Sequence, residues 1–462
     1  MSCLGAGKPR TCNEKNGWKY LADWIGTRQP RLAQGSHSQI TCGKDAKLSA
    51  VCAFENVVVD FGQASIRGSS RAFGQGFVRA HGKLRDPSGL GDMMIPGLVV
   101  DDSGTRMLCD EYENRPTFIM SHDDTDNLAH HMNDVTMVWV MGLLAGRRFN
   151  DSLFIHMDGI RRSGPAGGLH RLMHIATPDS PSTFNDYYLS WFQQIKKGVD
   201  YHKRKVCFKE IYFQPMPGLG WVWDGWSEVK PCAAKIQPTN SRPVPSPLFQ
   251  SFNQHLRHSW QQAFGALTPP ASGEIHVLLI LRRSSLKKGG AGRVVANNDQ
   301  LVTALQGLDL SGSTVPGARQ LRVRVTARDF SSISFREQMS LVHSAHLLVG
   351  MHGAGINQFF NMAIGEPNCC GLIEMFPDKT MGYDGILGNQ NMAKFLGLTY
   401  ARYQVNSAGP HSPANVNVRA VVDIVKGMVD VLASGSGRIC LNDVKDSVNS
   451  IVYANKNLHS NA

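Results

Sequence analysis

Leu347-Leu348-Val349-Gly350-Met351-His352-Gly353-Ala354-Gly355 is the stretch whose reading decides the fold. Its apolar start carries no polar alternation, the pattern of a strand buried on both faces of a parallel sheet. The strand runs into a His-Gly-Ala-Gly turn, after which Ile356 to Met362 reads as a short helix. Strand, glycine turn and helix in that order are part of a βαβ unit. Glycines at such a turn let the backbone approach a ligand, and the amide groups that open the next helix favour an anion. The turn has no Gly-Lys-Ser/Thr, so it is not a Walker loop. It also lacks the third glycine of the dinucleotide fingerprint.

Working outward, the same alternation continues. Upstream lie the strand Ile275 to Leu281, ending in Arg282-Arg283, the strand Leu321 to Val325, and a helix from Phe335 to His346 capped by Ser334. Downstream lie the strands Leu372 to Phe376 and Leu398 to Tyr403, and an amphipathic closing helix from Val418 to Leu432. In a parallel sheet the carboxyl ends of such strands share one edge. Arg282, Arg283, His352, Gly353, Ala354, Gly355 and Glu374 are therefore expected to meet there. Guanidinium groups grip phosphate oxygens in pairs, and a carboxylate at a strand end accepts ribose hydroxyls. Taken singly, the turn, the arginine pair and Glu374 each have a plain structural explanation as a tight turn, a surface fork and a cap. Converging on one edge, they point to a nucleoside diphosphate.

The N-terminal half repeats the pattern less sharply. Residues 1–50 read as an irregular stem. Val57 to Phe61, Thr117 to Met120, Leu153 to Met157 and Cys207 to Phe213 read as strands, and Asp126 to Ala145 as a helix. Five prolines between Pro231 and Pro247 mark a linker, and a helix from Phe249 to Phe264 follows it. The expected organisation is a stem, an N-terminal α/β domain over 51–265 including the linker 231–247, and a C-terminal α/β domain over 266–462.

His130 and Asp134 stand four apart on the predicted helix and so share one face. A carboxylate beside an imidazole orients it as a general base, although acidic caps and a solvated histidine account for the same residues. Asn127 and Asp158 lie beside this pair and the next strand end. Asp124-Thr125-Asp126 has the form that holds a divalent metal, but acidic residues before a helix explain it equally well. A metal-dependent hydrolase using His122, Asp123, Asp124, His130 and His131 is the alternative activity, and a non-catalytic glycan-binding relative is another.

Composition narrows the partners. The 462 residues carry 48 Lys+Arg against 37 Asp+Glu, a formal charge of +11, with 42% hydrophobic and 18% charged residues. This is globular rather than disordered. The basic residues are scattered, without an aromatic-interleaved stripe, so no nucleic-acid partner is expected. No apolar run reaches the ~20 residues of a bilayer span, and the first residues have no signal-peptide core. Ten cysteines without a Cys-x-x-Cys pair suit disulfides in a lumenal protein, with buried free thiols as the alternative. Asn150-Asp151-Ser152 is a glycosylation sequon.

Phe335-Arg336-Glu337-Gln338, His352-Gly353-Ala354-Gly355 and Leu372-Ile373-Glu374-Met375-Phe376-Pro377 together resemble glycosyltransferase family 61. Asn127-Leu128-Ala129-His130 with Asp134, Asp158-Gly159, Cys207-Phe208 and Arg282-Arg283 extend the resemblance from about Cys42 to the closing helix. Its nearest branch is the plant-type β1,2-xylosyltransferases of N-glycan cores. The resemblance implies a GT-B fold, two Rossmann-like domains facing across a cleft, with the nucleotide on the C-terminal one. It implies an inverting transferase that moves a pentose or N-acetylhexosamine, xylose from UDP-xylose foremost, onto a glycan or glycoprotein hydroxyl. His130, Asp134 and His352 would be catalytic. Arg282, Arg283, Gly353, Ala354, Gly355 and Glu374 would hold the nucleotide sugar, and Asn127 and Asp158 would lie on the acceptor side. Asp124-Thr125-Asp126 is not a family feature, so no metal or other cofactor is expected. Relatives are Golgi or ER lumenal and carry an N-terminal anchor that this chain lacks, which leaves a cytosolic protein as the alternative.

Overall fold

The computed structural model describes residues 38–44, 50–61, 64–67, 70–73, 78–81, 98–101, 108–120, 135–136, 138–139, 142, 146–156, 195–197, 204–213, 247–282, 293–313, 315–366, 369–376, 388–405, 413–434 and 440–444. The chain divides into two compact units, Met1–His174 with Trp191–Cys232, and Ile175–Ser190 with Ala233–Ala462.

Among the described residues the first unit has the strands β1 (Gln39–Lys44), β2 (Ala50–Asp60), β3 (Ala64–Arg67), β4 (Ser70–Phe73), β5 (Val78–His81), β6 (Leu98–Asp101), β7 (Glu111–Glu113), β8 (Thr117–Met120), β9 (Leu153–His156), β10 (Ile195–Lys197) and β11 (Lys205–Phe213). Its main sheet runs β10-β9-β8-β11-β2-β5-β6, with β1 on β2 and β7 on β11. Strands β8, β9 and β11 are parallel, as the sequence predicts, and β10, which the sequence reading did not name, joins them in parallel. Strand β2 is antiparallel to both β11 and β5, so the sheet is mixed rather than wholly parallel. The stem expectation is corrected here too. Gln39–Lys44 is a strand because the extended Ala50–Asp60 segment offers it a complete antiparallel edge. A stack of Phe118, Phe149, Phe154, Trp139 and Tyr212 fills the core beside β8, with ring centroids 4.4 to 5.9 Å apart. A disulfide joins Cys109 to Cys207.

The second unit is a six-stranded sheet, all parallel: β12 (Glu274–Leu281), β13 (Arg322–Asp329), β14 (Leu347–Met351), β15 (Gly371–Phe376), β16 (Thr399–Gln404) and β17 (Cys440–Val444). Its helices are α1 (Pro247–Phe264), α2 (Asn298–Gln306), α3 (Pro316–Arg319), α4 (Phe335–Ser344), α5 (Gly388–Leu396) and α6 (Val418–Ala433). The strand order is β13-β12-β14-β15-β16-β17. The chain winds outward from β12 to β13, then reverses to β14 on the other side. That reversal between β12 and β14 is the topological switch point, where open α/β sheets bind ligands beyond the carboxyl ends of their strands.

Local signals agree with this winding. The Ser334 side chain accepts from Glu337 N at α4, Asn417 accepts from Ala420 N at α6, and Pro316 opens α3. One sheet face carries the main core, in which Val277, Leu279, Val349, Met351, Ile373 and Met375 pack with Leu301 of α2 and Ile424, Val425 and Met428 of α6. Each such side chain contributes roughly 1.5–3 kcal/mol by leaving water.

Two expectations change in this unit. Helix α1, assigned above to the N-terminal domain, belongs to the second unit. Its Asn253 donates to Phe360 O at 2.6 Å and Met362 O at 3.0 Å, and Arg257 donates to Ile364 O at 3.2 Å. The amphipathic helix α6 does not close the chain, because β17 follows it and adds a sixth strand beside β16.

Candidate functional site

Alternation along the strands gives the sheet two unlike faces. In β14, β15 and β16 the odd positions enter the main core. The even positions place Gly350, Glu374 and Arg402 in register on the other face. Gly350 fits there because it carries no side chain; a Cβ at that position would stand 3.3 Å from Ile280 Cβ. His352 follows β14 by one residue and extends its pairing, its backbone N donating to Met375 O at 2.8 Å.

Glu374 is 1% exposed and is the hub of this face. Its Oε1 accepts from His352 Nδ1 at 2.6 Å and from Asn389 Nδ2 at 2.7 Å, and its Oε2 accepts from the Tyr400 hydroxyl at 2.6 Å. Burial pushes the carboxyl upward, but the His352 bond and charge and the bonds from Tyr400 and Asn389 outweigh it, leaving Glu374 below the usual range. An ionised carboxylate only accepts, so Nδ1 of His352 carries a proton towards Glu374, which fixes the orientation of the ring. The ring of His352 rests against Phe376, centroids 4.4 Å apart, and the Arg402 guanidinium lies 3.6 Å from the centroid of the same ring.

The glycine turn completes the edge. Gly353 has φ +148°, backbone that side chains rarely adopt. A Cβ there would stand 2.6 Å from Arg282 Nη1 and 3.5 Å from Arg293 Nη1. The missing side chain is what lets the Arg282 guanidinium close on the turn. At Gly355 a Cβ would make only an ordinary contact, 3.6 Å from Ile280 Cγ2. Ala354 opens a 3-10 segment, Ala354–Asn361, in place of the expected α-turn from Ile356. Asn357 Nδ2 holds Gly353 O at 2.9 Å, Gln358 Nε2 donates to Gln338 Oε1 at 2.7 Å, and α1 grips the far end through Asn253. The turn is thus braced from behind before any ligand arrives. At the same end of the sheet, a cleft of about 330 Å³ opens between β13 and α2, lined by Leu281, Asp299, Val302, Val325 and Arg328 among others.

The structure therefore brings Arg282, His352, Gly353 and Glu374 together, as the sequence predicts for a parallel edge. It changes the part Glu374 plays. Expected as a ribose ligand, it is buried and satisfied by three donors, and its effect passes through His352. Arg283, Asn127, His130, Asp134 and Asp158 lie outside the described residues, as does the whole cluster from His122 to Asp134. Asn150 falls in the 3-10 turn Phe149–Asp151. Sequence reasoning missed Arg293, Asn357, Asn389 and Tyr400. Tyr400 had only a faint signal, standing at an even position of a strand whose odd positions are Thr399, Ala401 and Tyr403. Arg293 had a fainter one, an arginine just ahead of the Asn297-Asn298 start of α2. Among the described residues no group of three or more His, Cys, Asp or Glu is arranged to hold a metal ion. No helix among them is long and apolar enough to cross a membrane.

Comparison with known proteins returns one family model, described as Glycosyltransferase 61, over residues 129–371. Curated relatives include the EGF domain-specific O-linked N-acetylglucosamine transferases of Mus musculus and Xenopus laevis. The mouse protein is 25% identical over 248 residues, 54% of this chain and 39% of the relative. The frog protein is 24% identical over 250 residues, with the same coverage of 54% and 39%. The Drosophila melanogaster protein of that name is 23% identical over 350 residues, 70% of this chain and 57% of the relative. The chain thus spans about two fifths of the length of the vertebrate relatives, at 39% in the mouse protein.

Proposed function

Because the chain belongs to glycosyltransferase family 61, we propose that its second unit binds a nucleotide sugar by the diphosphate and that the protein transfers the sugar to a hydroxyl with inversion. The observation that carries this reading is the meeting of Arg282, Gly353 and the Glu374-held His352 at the switch point.

The chemistry follows from charge. As the acceptor oxygen attacks the anomeric carbon, the carbon–oxygen bond to the diphosphate breaks, and negative charge grows on the departing phosphate. The transition state resembles an oxocarbenium ion. Donors already fixed in place stabilise that charge without reorganising, which is where most of the rate gain arises. Arg282 supplies a guanidinium, and His352, its ring locked by Glu374 and Phe376, donates from Nε2 in its doubly protonated form. With this positive charge built in, the proposed reaction needs no divalent metal. The nucleoside belongs in the cleft beside Leu281, where Asp299 takes the ribose role first given to Glu374. Deprotonation of the acceptor is assigned to His130 supported by Asp134, with Asn127 and Asp158 beside the acceptor and the GT-B arrangement as the frame.

The donor proposed is UDP-N-acetylglucosamine. The names of the relatives carry that sugar in place of the xylose favoured by the sequence reading. The proposed acceptor is a serine or threonine hydroxyl of an EGF-like domain. The Cys109–Cys207 disulfide supports an ER or Golgi lumen. A thermal-shift panel of UDP-N-acetylglucosamine, UDP-xylose, UDP and ADP, followed by a transfer assay on a folded EGF-like domain, tests the proposal. A rise in melting temperature with UDP compounds and transfer from UDP-N-acetylglucosamine is the expected result. No stabilisation by any sugar nucleotide overturns it.

A further inference from the structure

Arg293 has no place in the reading so far, yet it is built into the same turn. Its Nη1 would lie 3.5 Å from a Cβ at Gly353, the point that Arg282 Nη1 approaches to 2.6 Å from the end of β12. Two guanidinium groups thus converge on one glycine from two separate chain segments. Guanidinium groups that meet beside a side-chain-free turn suit an oxyanion that accepts from both.

The backbone that carries Arg293 is pinned. Ala414 N donates to Val294 O at 2.8 Å and Ala296 N donates to Ala414 O at 2.9 Å. Asn297 then clasps Val416 through both its amide atoms, Nδ2 to Val416 O at 2.9 Å and Oδ1 from Val416 N at 3.0 Å. Val295 is 3% exposed in the core, and Asn298 Nδ2 donates to Val295 O at 2.9 Å. An arginine set only to solubilise a loop needs no such fixation. An arginine that must hold a phosphate oxygen at fixed distance does, because preorganisation spares ordering cost on binding.

We propose that Arg293 is a second phosphate-binding arginine, meeting Arg282 at Gly353, so that one grips each phosphate of a diphosphate. This deepens the nucleotide-sugar reading and rests on it. A planar fork suits the task because each guanidinium can donate two parallel hydrogen bonds to one phosphate. The pair selects a diphosphate over a monophosphate, since only a diphosphate offers a separate phosphate to each guanidinium fork.

The test is calorimetric titration of the full chain with UDP and UMP, using the native protein, Arg293→Ala and Arg293→Lys. Native protein is expected to bind UDP well over tenfold tighter than UMP. Arg293→Ala is expected to weaken UDP binding about 10- to 100-fold and UMP binding by less than threefold, with Lys recovering only part of the loss because it lacks the fork. Equal UDP affinity in native protein and Arg293→Ala overturns the second fork while leaving the nucleotide reading standing. Failure of native protein to bind UDP sinks both. A melting curve and circular dichroism spectrum of each variant separate lost contact from lost fold. If Arg293→Ala does not fold, Arg293→Lys alone decides: unchanged UDP affinity there defeats the requirement for a fork.

Discussion

Four histidines of the second unit stand at opposite ends of one sheet and have opposite chemistry. His276, His343 and His346 sit at the amino end of β14 and are at most 1% exposed. Their hydrogen-bond partners are neutral. His276 meets Ser344 O and Thr326 Oγ1, each at 3.0 Å; His346 Nδ1 accepts from His276 N at 3.0 Å; His343 faces Asn361 O at 3.4 Å. Burial lowers all three pKa values to about 4, helped by the charges of Arg324 at His276, Arg257 at His343 and His276 at His346. His352, at the carboxyl end, has a buried carboxylate on Nδ1 at 2.6 Å. Burial without a charged partner turns an imidazole into a neutral packing group. The same ring with a fixed carboxylate is held in one orientation.

The largest effect that separates the two ends is on turnover. His352→Ala is expected to lower transfer by ~10²–10³, the usual loss when one fixed donor to a developing oxyanion is removed. Its melting temperature is expected to fall, because buried Glu374 loses its His352 donor, so turnover is compared at a temperature where the variant stays folded. Near-native turnover would take His352 out of the mechanism and erase the distinction between the ends.

Next in size is a change at the turn itself. Gly353→Ala places a methyl 2.6 Å from Arg282 Nη1 on backbone at φ +148°, so either the arginine or the turn must move. Loss of one charge-assisted contact predicts UDP binding weaker by about 10- to 100-fold. The equivalent change at the amino end, where no ligand is proposed, should leave UDP affinity untouched. Calorimetric titration reads this directly, and unchanged affinity for Gly353→Ala would show that the turn does not position Arg282.

How much of this was legible beforehand differs between the ends and has a physical reason. The strands of the second unit were readable because burial on both faces makes Ile275–Leu281 and Leu347–Met351 continuous apolar runs. The shared edge for Arg282, His352 and Glu374 followed from parallel pairing alone. The function of Glu374 did not follow, because its partners Asn389 and Tyr400 arrive from 15 and 26 residues further along the chain. Nor did the buried histidines stand out. His276 sits inside an apolar strand and reads as a simple interruption. In the first unit, β3 and β4 are four residues each, too short to show a period. Strand β1 was missed because its sequence, QITCGK, is mostly polar and earns its place only by pairing with β2.

The smallest effects lie at the amino end and are thermodynamic rather than catalytic. In the unfolded chain His276, His343 and His346 titrate near 6.5, and in the folded protein near 4. Between these values the unfolded state binds more protons, so stability is full above about pH 6.5 and falls as pH drops towards 4. Each histidine sets a slope of roughly 1.4 kcal/mol per pH unit within that window. Denaturant unfolding at pH 7.5 and 5.5 should therefore differ by about 2–4 kcal/mol for the three together. His343→Leu isolates one of them. Its single long contact, 3.4 Å to Asn361 O, makes it the cheapest to lose, so stability at pH 7.5 should change by no more than about 1 kcal/mol. The difference between pH 7.5 and 5.5 should shrink by about a third, and turnover at pH 7.5 should be unaffected because His343 touches no proposed ligand. If the acid sensitivity of His343→Leu equals that of the native chain, the protons that destabilise the protein are taken up elsewhere. The neutral state assigned to the amino-end histidines would then be wrong, and with it their contrast to His352.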